Sequence, residues 1–254
     1  MAEPLIRAQD LLIHFGGVKA ADGVSLDVYN KERLSIIGPN GAGKTTFLNI
    51  CTGYLKPTEG KVWLNQKEIT NLTPRAITMK GVARTFQIPQ LFLEHSVLEN
   101  VLISISARHG HLVSLRDMMH VPELDHAHTL LEMMGLEDVH DQLAMFLPEG
   151  KRKLLDIALA LALKPRILLM DEPTSGVSSQ EKFKIMDILV SVLNQEEITA
   201  VFVEHDMEMV SRYSDRVVVW NDGNIQFDGD PQEILTHPDV IEQVVGMDVH
   251  NAAV

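Results

Sequence analysis

GPNGAGKTT, residues 38–46, decides how the rest of the chain is read. Gly38 and Gly43 bracket four residues ahead of Lys44 and Thr45. RLSIIG, before the stretch, has the character of a buried strand, and residues 45–53, after it, read as a helix ending at Gly53. Glycines so placed let backbone N–H groups turn inward at a helix N-terminus, a geometry that cradles phosphate. Lys44 would then reach the terminal phosphates, and the Thr45 hydroxyl suits Mg²⁺. Pro39, Asn40, Gly41, Ala42 and Thr46 complete this phosphate-binding loop.

Upstream, LIRAQ, LLIHF and VSLDV read as short strands, with turn signals at Gly16-Gly17 and Asp22-Gly23. KVWLNQ (61–66) returns to strand character. From 88 to about 146 the pattern changes to helices with polar links, HSVLENVLISISA and LDHAHTLLEMMGL. The expectation is one domain over 1–254, with an α/β and β core in 1–87 and 151–254 and an inserted helical subdomain at 88–150. Beyond it come a helix at 151–163, strand RILLMD, helix QEKFKIMDILVSVL, strand ITAVFVEH and strand RVVVW. Asn221-Asp222-Gly223 predicts a hairpin turn into NIQFDG. DPQEIL predicts a helix with Asp230 as N-cap, Pro231 first and Glu233 completing a capping box. HPDVIEQVVG predicts a last helix closed by Gly246. Helices alternating with buried strands imply a largely parallel sheet covered on both faces.

ILLMDE, 167–172, is the second chemical element. Its four apolar residues carry a strand through the core and deliver Asp171 at the C-terminal edge, where open α/β sheets bind ligands. Asp171 suits Mg²⁺, and Glu172 is placed to act as general base for a water attacking a γ-phosphate. A third stretch, LPEGKRK (147–153), raises a question of charge. It puts Lys151, Arg152 and Lys153 in the first turn of a helix, the end that favours anions. Either an anion arrives from outside, or the three side chains turn to solvent with Glu149 balancing them.

Composition bounds the answer. The 254 residues are 45% hydrophobic and 22% charged, an ordinary globular balance, and the net charge of −13 argues against nucleic acid as the main partner. A single cysteine, Cys51, permits no intrachain disulfide and fits a reducing compartment. Cys51 lies on an apolar helical pattern and reads as packed. MAEPLIRAQD lacks the apolar stretch of a signal peptide, and no run approaches the ~18 apolar residues of a membrane span. The expectation is a cytoplasmic protein that reaches a membrane only through partners. His109, His111, His120, His126 and His128 show no regular ligand spacing and predict no metal.

Gln87 follows Arg84-Thr85-Phe86, and His205 follows strand ITAVFVE. In this order, phosphate loop, Gln87, LPEGKRK, Asp171-Glu172 and His205, the chain resembles the ATP-binding subunit of ABC transporters over nearly its whole length. The resemblance implies an α/β P-loop NTPase of ABC type, with a mixed sheet core, an N-terminal antiparallel β subdomain and an inserted helical subdomain. It implies ATP and Mg²⁺ as cofactors, with Thr45, Gln87 and Asp171 serving the metal. Phe15 falls where the family stacks an aromatic ring on adenine, and His205 where it bonds the γ-phosphate. Glu172, His205 and Gln87 form the implied catalytic set. Leu147, Pro148, Glu149, Gly150 and Lys151 form the signature segment that meets the ATP of a second ATPase subunit, in a homo- or heterodimer. Further implied partners are integral membrane permease subunits and, indirectly, an extracytoplasmic solute-binding protein, which places the chain on the inner face of the cell membrane.

Two departures from the family pattern stand out. The usual signature is Leu-Ser-Gly-Gly-Gln, and here Pro148 supplies neither hydroxyl nor N–H. TSGVSSQE has Ser178 where the family commonly shows Asp in its D-loop; Ser178 and Glu181 read instead as a capping box. An alternative reading is therefore a nucleotide-binding subunit with a degenerate signature, active only beside another ATPase. Soluble ABC ATPases acting on DNA or ribosomes carry insertions absent here. VARTFQIPQLF (82–92) and HPDVIEQVVGMD resemble the subgroup serving branched-chain amino-acid importers and their relatives, including importers of urea and amides. An exporter-type or lipid-transport ATPase is the nearest other layout.

Overall fold

The computed structural model describes residues 3–109 and 122–242. His111, His120, Gly246 and the end of the predicted last helix lie outside the described residues. The chain divides into two compact units, Met1–Ile77 with Thr199–Val254, and Thr78–Ile198.

In the first unit, alternating apolar and polar residues make β1 (Pro4–Phe15) and β2 (Val18–Tyr29), paired antiparallel. β4 (Glu59–Leu64) takes the other edge of β1, and β5 (Lys67–Glu68) follows, giving the order β2-β1-β4-β5. LIRAQ and LLIHF are one strand rather than two, and Asp22-Gly23 is not a hairpin turn. Asp10 adopts φ 50° beside one register shift, and Gly23, φ 80°, is the extra residue at the next, between Leu11↔Val24 and Leu12↔Asp22. Each strand absorbs an extra residue as a bulge, so pairing resumes beyond it.

β3 (Arg33–Ile37) is buried at four of its five positions and pairs parallel with both β8 (Thr199–Val203) and β9 (Arg216–Asn221). α1 (Lys44–Cys51) follows β3 through the glycine loop, and its Cys51 is buried. The predicted hairpin forms: Asp222 (φ 45°) and Gly223 (φ 72°) join β9 to β10 (Asn224–Gly229), the two positive angles that a type I′ turn requires. Between β8 and β9 lies α7 (Met207–Tyr213), which the sequence reading missed; Asp206 caps it by accepting from the Glu208 and Met209 N–H groups. Asp230 caps α8 (Pro231–Ile234) through the Gln232 N–H at 2.8 Å. Val210, Val217, Val219 and Ile234 join Ile37 and Val240 of α9 (Pro238–Val240) in one apolar cluster.

α2 (Pro74–Thr78) belongs to the first unit up to Ile77, and its last residue, Thr78, opens the second. A parallel pair follows, β6 (Val82–Arg84) with β7 (Ile167–Asp171), and β7 is buried throughout. Its helices are α3 (Val97–His109), α4 (Pro122–Met133), α5 (Glu149–Ala162) and α6 (Ser179–Gln195). α5 contacts the other three, because its LLDIALALA run is apolar over most of the surface. Ser96 and Glu99 exchange bonds at the start of α3, as Ser178 and Glu181 do at α6, where the predicted capping box is present. Among the described residues, no helix is long and apolar enough to cross a membrane.

Candidate nucleotide site

The loop of residues 38–43 is held in the first unit by backbone contacts that leave no room for side chains. A Cβ on Gly38 would overlap the Trp220 carbonyl oxygen, and one on Gly43 the Ala20 carbonyl oxygen. Gly43 sits at φ 117°, where an L side chain is strained. The Gly223 N–H donates to the Ala42 carbonyl at 3.2 Å, and the Ala42 N–H to the Pro39 carbonyl at 3.3 Å. Beneath it, the Trp220 ring packs on Phe47 and donates through Nε1 to the Ala20 carbonyl at 3.3 Å. These contacts explain the glycines physically: the β9–β10 turn and β2 press directly on the loop.

Lys44 is buried and curls over the loop, donating to the Gly38 carbonyl at 2.6 Å and the Pro39 carbonyl at 2.9 Å. Asn40, Gly41 and Thr45 are exposed, Ala42 is buried and Thr46 is half-buried. An exposed hydroxyl at the first turn of α1, beside an ammonium held over a backbone cradle, fits a phosphate and its cation. β3 and β8 run parallel, with Ile36 opposite Val203, so the loop after β3 and His205 after β8 emerge at the same C-terminal edge. His205 is exposed there. Phe15, at the end of β1 opposite Val18, is 50% exposed, so its ring is open to stacking.

The second unit repeats this logic with another parallel pair. β6 leads to Gln87, and β7 ends at Asp171 and Glu172. Gln87 Nε2 donates to Glu172 Oε2 at 2.9 Å, so the structure joins the two residues that the sequence placed 85 apart. Glu172 adopts φ 50°, a left-handed conformation costly for a non-glycine residue and concentrated at functional sites. Asp171 is buried and paired with Arg84 at 3.2 Å, both side chains being nearly inaccessible. Its carboxylate offers the hard oxygen donors that Mg²⁺ takes.

The basic turn of α5 is answered from within the chain. Lys151 Nζ donates to both oxygens of Asp138 at 2.7 Å, and Arg152 to the Met145 carbonyl at 2.7 Å. Lys153 is buried and donates to the Gln87 carbonyl and to Ser175 Oγ. The three therefore do not point to solvent together, because successive helical residues are about 100° apart. In the signature segment Leu147 and Gly150 are buried and Pro148 and Glu149 exposed; Pro148 is the N-cap and makes no side-chain cap. Ser178 is spent on capping α6. Arg84 and Asp156 are polar residues to which the sequence reading gave no role, and it took Lys153 only as one of three basic residues in the turn; the signal for Asp156 is a carboxylate inside the apolar run LLDIALALAL. Among the described histidines, the His128 ring lies 5.7 Å from that of His140.

A glycine cradle after one parallel strand and an Asp–Glu pair after another are the parts of a P-loop nucleoside triphosphatase. The ABC transporter family model matches residues 21–175, and the chain belongs to that family as an ABC ATPase subunit. It is 37% identical to the high-affinity branched-chain amino acid transport ATP-binding protein LivG of Salmonella typhimurium, covering 97% of this chain and 99% of LivG. Against BraF of Pseudomonas aeruginosa, which carries the same description, identity is 36% over the same shares. MJ1267, solved as an ATP-binding cassette of an ABC transporter in its ADP conformation, matches with a TM-score of 0.83 at 33% identity, covering 95% of this chain and 98% of that one. The ATP-binding cassette MJ0796, solved as a dimer in a post-hydrolysis state with ADP and Pi, matches with a TM-score of 0.76 at 27% identity over 89% of this chain and 98% of that one.

Proposed function

We propose that this subunit hydrolyses Mg-ATP to energise uptake of a branched-chain amino acid or a closely related small solute. It works as one of two ATPase subunits on the inner face of the cell membrane, bound to integral permease subunits and served by an extracytoplasmic solute-binding protein. The relatives' descriptions support the cargo class. The chemistry rests on one observation above others, the 2.9 Å bond between Gln87 and Glu172 at the ends of parallel strands.

In this reading Phe15 stacks on adenine, and the N–H groups of residues 38–46 take the phosphates with Lys44. Thr45, Asp171 and Gln87 hold Mg²⁺, which, when bound, draws off charge developing on the phosphate oxygens. Glu172 accepts the proton of the attacking water, and the Gln87 amide fixes its orientation. His205 donates to the γ-phosphate. Leu147–Lys151 meet the nucleotide of the second subunit, and Ser178 lies in the same interface. Residues 88–150 serve as the helical subdomain within a single ATPase domain.

The test is the chain reconstituted in proteoliposomes with its permease and solute-binding protein. ATP turnover should rise on adding leucine, isoleucine or valine to the binding-protein side. Glu172→Gln should bind ATP normally and lose turnover by about 10²-fold or more. Near-normal turnover in that variant removes Glu172 from its role, and stimulation only by an unrelated solute removes the cargo class.

A further inference from the structure

Residues Phe86–Gln90 form a loop outside any strand or helix, with the side chains of Gln87 and Ile88 in solvent. Phe86 is half-buried, with the Arg84 guanidinium 5.1 Å from its ring centroid, while Gln87 itself is exposed. Its backbone is gripped from α5. Asp156 Oδ2 accepts from the Phe86 N–H at 3.4 Å, and Oδ1 from the Gln90 N–H at 3.2 Å. Lys153, one turn earlier on the same face, donates to the Gln87 carbonyl at 2.5 Å. Its second bond, 3.2 Å to Ser175 Oγ, reaches the turn after Glu172, where the Ser175 N–H donates to the Glu172 carbonyl at 3.1 Å. The bonds close a ring: Lys153 to Gln87, Gln87 to Glu172, Glu172 to Ser175, and Ser175 back to Lys153.

Both side chains are costly where they stand. Lys153 is 3% and Asp156 7% exposed, on a helix otherwise lined with leucine and alanine. Burial raises the Asp156 carboxyl to about 6, against the two backbone N–H groups and Lys153, which favour its charged form. An apolar residue at either position would pack α5 without desolvating a charge. It could not bind the free N–H and C=O groups of an irregular loop.

We propose that Lys153 and Asp156 are a positioning pair, one turn of α5 that holds the backbone on both sides of Gln87 and so sets the Gln87 amide against Glu172. This rests on the roles given above to Gln87 and Glu172. Both side chains are buried and act through the groups they bind, not on the reacting atoms.

The test measures kcat, KM and ATP affinity of the full chain with Mg-ATP for Lys153→Met, Lys153→Arg, Gln87→Ala and the double variant Lys153→Met/Gln87→Ala. Lys153→Met should lower kcat by about 10- to 100-fold, as misplacement of a catalytic group does, with ATP affinity within about twofold of the parent. Lys153→Arg should recover most of the rate. The double variant should be no slower than Gln87→Ala alone, because both changes remove one interaction. Losses that multiply, or a parental kcat in Lys153→Met, overturn the proposal. If Lys153→Met does not fold, Ser175→Ala replaces it, with the same non-additivity expected and additivity refuting. Full turnover in Glu172→Gln would instead strike the underlying site assignment, and the two failures are distinct.

Discussion

Two glycines of the phosphate loop, two residues apart, should respond very differently to the same methyl group. Gly41 has φ 80° and nothing within 4 Å of the place its Cβ would occupy. Alanine there meets only backbone strain, about 1–2 kcal/mol, partly offset by a less flexible unfolded chain. Gly43 has φ 117°, and its Cβ would overlap the Ala20 carbonyl oxygen and lie 2.9 Å from Trp220 Nε1. Three effects then add. Strain in a sparsely populated backbone region is about 1–3 kcal/mol. Forcing β2 from the loop adds about 1–3 kcal/mol of overpacking. Moving the Ala20 carbonyl breaks its buried bond from Trp220, about 1–3 kcal/mol more. The total, about 6 kcal/mol at the middle of these ranges, is comparable with the whole stability of many domains. Thermal unfolding of the full chain without nucleotide is the assay, since bound ligand would add its own stabilisation. With about 2–4 °C lost per kcal/mol at this size, Gly41→Ala should fall by a few degrees and Gly43→Ala by more than about 10 °C, or show no cooperative transition. Equal shifts for the two variants would refute the claim that loop packing, rather than phosphate contact alone, demands glycine at 43.

Other consequences concern buried charge. The folded-state pKa of Asp156, about 6, lies above its ordinary value of 3.8, so its contribution to stability is fully present below pH 3.8 and lost as pH rises through about 6. Asp156→Asn should remove a slope on the order of 3 kcal/mol between pH 4 and 7 from urea unfolding, and an unchanged slope would contradict this account. Arg84→Met leaves Asp171 buried without its guanidinium and should destabilise the chain by about 3–5 kcal/mol. Adding Asp171→Asn should restore most of that loss; a purely additive double variant would mean that Arg84 acts through packing instead.

The sequence was most legible where one short segment carries its own physics. GPNGAGKTT follows a buried strand and ILLMDE contains one, and each carries the residue types that phosphate or metal chemistry needs, so loop and acidic pair were both readable. The hairpin at Asp222-Gly223 and the cap at Ser178 were equally local. What escaped depends on distant partners. Asp22-Gly23 looks like a turn, and only the register of β1 against β2 makes it a bulge. α7 is short, and its MEMVSRY pattern lies between two strong strand patterns. Asp156 needs the loop at Phe86–Gln90 to explain it, some seventy residues away. Arg84 needs Asp171, 87 residues on.

The same distinction resolves the basic turn of α5. In sequence Lys151, Arg152 and Lys153 are one cluster of charge, adverse to the helix dipole and answered as a group by an external anion or by solvent. On the helix they diverge and each meets different acceptors, so they are three separate problems. Lys153 is committed, since moving it would strand a buried ammonium and free the Gln87 carbonyl. Arg152 is tied to a backbone carbonyl at Met145. Lys151 alone is bound to a solvated partner: Asp138, whose side chain is 65% exposed and whose carboxyl is held below its ordinary range by the Lys151 ammonium. A phosphate reaching this turn would compete at Lys151 with a hydrated carboxylate, a small loss, but at Lys153 with a desolvated bond. If the signature segment meets the second subunit's nucleotide, Lys151 is therefore the donor that turns to it. Lys153 stays behind on the Gln87 loop, and one basic cluster divides between two tasks.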